Sequence, residues 1–177
     1  MFKFTFSEEL TKEQEIQKVL QELEELCQED DVLQSLEICD YRYTLDEAVE
    51  ELCIDEEMID IMLHEYIKQI FEALFVFDIM VRRLELDASL GKELDFSMLS
   101  DLAHKNLGVA RNLRVKDGQK LLYEIMHTED IEYIEHCLEL LEYVTIKLDP
   151  DKAYDFVQEV VEKGFDPEAQ KYLLAEI

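Results

Sequence analysis

From Ile59 to Leu84 the residues Ile59, Leu63, Tyr66, Ile70, Ala73, Phe77, Met80 and Leu84 recur in alternating steps of four and three. A stripe sustained that long predicts one long helix with a single continuous inner face, opened by Asp55 as N-cap and ending before Gly91. Met62, Ile67, Phe71 and Leu74 widen the stripe beyond the seam of a two-stranded coiled coil, so the helix belongs in a bundle. Phe75, Val76 and Ile79 spread apolar surface further around it, so a cover is expected. Residues 12 to 38 are the expected cover, with homodimerisation as the competing solution.

The rest of the chain reads the same way. Four glycines and two prolines among 177 residues are too few for the turns of a β-sandwich or barrel. Thr11-Lys12-Glu13-Gln14 is a capping-box pattern, followed by Ile16, Val19, Leu23 and Leu26 at helical spacing. The pattern fails at Glu29-Asp30-Asp31 and resumes at Leu33, which predicts two helices or one bent one. Thr44-Leu45-Asp46-Glu47 opens a short helix ending near Cys53. Further helices are expected from about Asp95 to Leu113, with Leu99, Leu102, Val109 and Leu113 inward, and from about Lys116 to His127. Another carries Ile131, Ile134, Leu138, Leu141 and Leu148 on one stripe. Asp149-Pro150 and Asp166-Pro167 each supply an N-cap followed by proline at the first helical position, and Gly164 closes the helix between them. The expected architecture is all-α: an antiparallel four-helix bundle over 44–148, with helical extensions over 1–43 and 149–177.

Charge narrows the function. Forty-four acidic and 17 basic residues leave a net charge of −27, a surface that repels nucleic acid and anionic lipid. The segment Met1 to Ser7 lacks the apolar run of a signal peptide, and the apolar stretch from Ile70 to Met80 is too short to span a bilayer and is interrupted by Glu72 and Asp78. Cys27, Cys39, Cys53 and Cys137 have no metal-ligand spacing and read as reduced, mostly buried thiols. These features point to the cytoplasm.

One segment departs from the acidic background. Residues 102–120 hold Lys105, Arg111, Arg114, Lys116 and Lys120 against Asp117 alone, a local charge of +4 in a chain that is otherwise −31. Within it Gly108 interrupts a good helix, at a cost of about 0.5–1 kcal/mol relative to alanine. Gly91, Gly118 and Gly164 lie at expected joints. His104 stands one turn before Gly108 on the same face, directed outward, so its imidazole has room for a bulky group on nitrogen. A basic island around such a histidine suits a phosphoryl group or an acidic partner surface. His64 and His136 read as surface residues. Glu124-Ile125-Met126-His127 has the ExxH spacing of di-iron bundles, but no second ExxH exists, so no metal site or cofactor is expected. P-loop and Rossmann fingerprints are absent.

The run Leu102-Ala103-His104-Lys105-Asn106-Leu107-Gly108-Val109-Ala110-Arg111-Asn112-Leu113 resembles the signature of histidine-containing phosphotransfer (HPt) domains. That family shows Ala-His, Gly four residues after the His, then a small residue and Asn-Leu. Leu45-Asp46-Glu47-Ala48 followed by a long helix also resembles the way such domains begin. The resemblance covers about 44–148, with its specific part in these dozen residues. It implies a phosphorelay carrier without an ATP site. His104 would accept phosphoryl from the aspartate of a response-regulator receiver domain or hybrid histidine kinase, and the receiver would supply Mg²⁺. Gly108 would make space for the phosphoryl group, with Ala103, Ala110 and Leu113 as packing positions. The family's usual lysine three residues after the His is Leu107 here, and its usual apolar residue before that lysine is Asn106. Lys105 and Arg111 are the cations that could neutralise the phosphate. Leu107, Arg114 and Lys116 are the expected partner contacts, and an exposed Leu107 without the lysine suggests the alternative of a non-catalytic adaptor on the same fold.

Overall fold

The computed structural model describes residues 2–40 and 42–164. Asp166-Pro167 therefore lies outside the described residues. Eight helices occur among those described: α1 (Lys12–Glu29), α2 (Asp31–Ser35), α3 (Leu45–Leu52), α4 (Glu56–Ser89), α5 (Ser97–Asn112), α6 (Lys116–His127), α7 (Ile131–Leu148) and α8 (Pro150–Lys163). Their ends follow local chemistry. Thr11 and Gln14 close a full capping box on α1. Asp30 ends α1 and caps α2 by accepting from the Val32 and Leu33 amides, so the acidic interruption is a true break. Thr44, Asp55, Asp130 and Asp149 cap α3, α4, α7 and α8, and Pro150 opens α8. Gly164 ends α8 at φ 80°, where a side chain would be strained.

At 34 residues α4 is about 50 Å long and is the spine of the fold. Its expected stripe is buried except at one point: Val81 is inside and Met80 only partly so. A 3.6-residue helix drifts by about 20° per heptad from a strict 3.5-residue repeat. By Met80 the drift is about 60°, which turns Met80 toward the edge of the inner face and brings Val81 into it. α4 packs against α5 and α7, α5 against α6, and α6 against α7.

The cover of α4 differs from the one expected. α1 packs on α7 and α8, while α8 lies on α4. Phe71 of α4 meets Phe156 of α8 at 6.0 Å and Phe2 at 5.7 Å between ring centroids. The reason is chain geometry: the tight Asp149-Pro150 joint turns α8 straight back onto α4, leaving α1 to cover α7. As a result α7 is buried almost all round from Cys137 to Ile146, rather than along one stripe. One apolar cluster draws on both extensions as well as the central helices, including Phe4, Val19, Leu33, Phe77, Leu141 and Val157.

Two buried carboxylates fasten the N-terminal segment. Glu15 accepts the backbone N–H groups of Thr5 (3.0 Å), Phe6 (3.0 Å) and Ser7 (2.6 Å). Glu142 accepts from the Lys3 amide at 2.5 Å. Burial pushes the Glu142 carboxyl up to about 7. Phe4 then meets the Tyr154 ring edge-on and Phe6 meets it at a tilt, each at 5.0 Å between centroids.

The cysteines, Gly118 and two histidines depart from the sequence expectations. Cys27 and Cys39 form a disulfide, because the turn at Asp30 folds the chain back until their Cα atoms are 5.6 Å apart; Cys53 is exposed and Cys137 buried. Gly118 is no joint. It sits inside α6, where a Cβ would lie 2.5 Å from the Tyr66 hydroxyl, so it leaves room for the Tyr66 side chain reaching across from α4. His136 bonds Asp30 through Nε2 at 2.6 Å, tying α7 to the α1–α2 junction. His64 is half-buried, and its Nδ1 has no hydrogen-bond partner. No helix among the described residues is long and apolar enough to cross a membrane.

Candidate functional site

The site is built on α5. Leu99, Ala103, Asn106, Leu107 and Ala110 are its buried residues, recurring at 3.6-residue spacing. Ala103 and Ala110 are small, so the helix sits deep on its neighbours, and Leu102 and Val109 become the half-buried edges of the stripe instead of its centre. His104, Lys105, Gly108 and Arg111 are exposed, as the pattern predicted.

Leu107 departs most from the sequence expectation. It is 1% exposed and part of the core, so it makes no surface contact. It lies one turn after Ala103, on the row that points inward, whereas His104 and Gly108 share the next row outward. Asn106 is also buried and bridges two helices. It accepts from Gln69 Nε2 of α4 at 2.8 Å and donates through Nδ2 to the Leu102 carbonyl at 2.9 Å. The sequence signal for this bridge was an asparagine at a position flanked by core residues, since a buried amide requires partners.

Around His104 the next turn is clear. A Cβ built on Gly108 meets nothing within 4 Å, so no packing or backbone constraint of the fold calls for glycine there. Gly108→Ala is therefore expected to raise stability by about 0.5–1 kcal/mol, read as a higher urea midpoint with unchanged slope. A lower midpoint would mean that the open face is structural.

The basic island divides in two. Arg114 pairs with Glu51 at 3.1 Å and Lys116 with Glu47 at 3.0 Å, so both tie α3 to the α5–α6 joint. Lys120 Nζ donates to the Glu37 carbonyl at 3.0 Å. Arg114 and Lys116, expected as partner contacts, are thus engaged within the chain. Lys105 and Arg111 remain on the exposed face of α5. Arg111 is two turns from His104, roughly 10 Å along the axis.

The ExxH residues serve other ends. Glu124 accepts from the Tyr133 hydroxyl at 3.0 Å, and His127 Nδ1 lies 2.8 Å from the Tyr123 carbonyl. No group of three or more His, Cys, Asp or Glu side chains that could hold a metal ion occurs among the described residues. Compared with family models, curated proteins and solved structures, the chain finds no match in any of the three. The resemblance to phosphotransfer domains therefore rests on the residues of α3 to α5 themselves.

Proposed function

We propose that this chain is a histidine phosphotransfer protein in which His104 carries phosphoryl between receiver domains. The observation that carries the reading is an exposed His104 whose neighbouring turn is kept open by a glycine the fold does not need. The cyclic packing of α4, α5, α6 and α7 supports a four-helix bundle beneath it. A neutral imidazole nitrogen attacks the phosphorus of a receiver's aspartyl phosphate. The N–P bond forms as the P–O bond to the carboxylate breaks, and the imidazole proton passes to solvent. Transfer to a second receiver reverses these steps. Lys105 and Arg111 supply positive charge near the phosphoryl oxygens, and Mg²⁺ and the acid pocket belong to the receiver.

A second reading, an adaptor that binds a receiver or kinase without accepting phosphate, is favoured by one observation. The position three residues after His104 is a buried leucine, so no cation reaches the phosphoryl group from there. Incubation with a panel of phosphorylated receiver domains separates the two. Wild type is expected to take up acid-labile label, and His104→Gln to take up none while melting at the same temperature. Label that survives the substitution refutes the role of His104, and receiver binding without label establishes the adaptor.

A further inference from the structure

Between α1, the segment after α2 and the C-terminal half of α7 lies a cavity of about 320 Å³. Leu20 and Leu23 of α1 and Val144 and Leu148 of α7 form its apolar walls. Its charged lining is Asp117 of α6, Glu24 of α1, Lys147 of α7 and Arg42. Asp117 is 5% exposed, and its Oδ1 has no hydrogen-bond partner. Its Oδ2 and Lys147 Nζ form a long ion pair at 4.0 Å. A buried carboxyl left in this state is costly, and within a lined cavity it marks where a ligand's polar group would sit.

The lining also selects the ligand. With Asp117 protonated, Lys147 and Arg42 outweigh Glu24 and disfavour a cationic head, and a purely apolar molecule would leave Asp117 unsatisfied. A carboxylate answers both, since it accepts from the two cations and from the O–H of a protonated Asp117. We propose that this cavity binds a medium-chain monocarboxylic acid, its tail between α1 and α7 and its carboxylate held by Lys147, Arg42 and Asp117. The site is independent of His104.

Burial moves the Asp117 carboxyl up to about 7, against the opposing pull of Lys147 and Lys120. The other groups around the cavity are Glu24 of α1, Arg42, and Tyr43, whose hydroxyl donates to the Leu113 carbonyl at 3.2 Å. Below about 7 Asp117 is protonated and donates; above it the carboxylate repels a second carboxylate. Binding therefore weakens as pH rises from 6 to 8.

The test is calorimetric titration of the full chain with octanoate, butyrate and octylamine at pH 6 and pH 8. Octanoate is expected to bind and to raise the melting temperature, tighter at pH 6. Butyrate, with four fewer methylenes, should be weaker by on the order of a hundredfold. Lys147→Gln should weaken octanoate about tenfold or more. Asp117→Asn, whose amide donates at any pH, should remove the pH dependence. Leu20→Trp, at a half-buried wall position, should block binding while retaining the helical circular dichroism. The proposal is overturned if octanoate does not bind at pH 6 or if octylamine binds as well. It is equally overturned if octanoate binding is indifferent to Lys147→Gln and Leu20→Trp, or if its pH dependence persists in Asp117→Asn.

Discussion

Leu107→Asp is expected to unfold the protein rather than to weaken a surface contact. Leu107 is 1% exposed, and removing such a side chain alone typically costs about 2–5 kcal/mol through lost burial and the cavity left behind. Aspartate adds the penalty of a buried, unpaired carboxyl, because the neighbouring Asn106 amide is already committed to the Leu102 carbonyl and to Gln69. The sum is comparable with the whole stability of a domain of this size, about 5–15 kcal/mol. Far-ultraviolet circular dichroism during a thermal melt would show lost cooperativity or a midpoint lowered by ten degrees or more. His104→Gln, three residues away on the exposed row, should leave the same melt almost unchanged. A Leu107→Asp protein that melted like wild type would return Leu107 to the surface and restore it as a docking contact.

The second large effect is expected at Glu15. It is 2% exposed and holds the backbone amides of Thr5, Phe6 and Ser7. Hydrogen bonds to a charged group contribute about 1.5–3 kcal/mol each, but the three share one carboxylate and their donors regain water once the segment lifts away. Glu15→Ala should therefore cost about 2–4 kcal/mol in all. Phe4 and Phe6 would leave Tyr154 with the segment, exposing apolar surface. Hydrogen exchange distinguishes this from general loosening: the amides of Thr5, Phe6 and Ser7 should lose protection first, while those of α4 exchange only with global unfolding. Retained protection at these three amides in Glu15→Ala would show that the aromatic contacts alone hold the segment.

The remaining charges illustrate why composition is a partial guide. Counting lysines and arginines identified the basic segment around His104, yet Arg114 and Lys116 turned out to face Glu51 and Glu47 of α3. These carboxylates are more than sixty residues distant in sequence, and no local pattern couples them. Lys105 and Arg111 lie on the exposed face of α5, whereas Arg114 sits in the turn after it and Lys116 opens α6, where both reach α3.

The sequence by itself determined the helices, their boundaries and the outward direction of His104. Capping residues and apolar spacing act over three or four positions, so Thr11, Asp30, Asp55, Asp149 and Gly164 end helices by bonds they make within one turn. Only the tertiary structure decided that α8 rather than α1 covers α4, that α7 is buried on nearly every side, and that Leu107 rather than Leu102 lies at the centre of the inner face of α5. It alone brought Cys27 to Cys39, Glu15 to the N-terminal amides, and Asp117 to a cavity beside Lys147. A helix of mixed polarity has several faces that satisfy the same periodicity, and the choice among them is made by whichever neighbours bury the most apolar area, a quantity that belongs to the assembled chain.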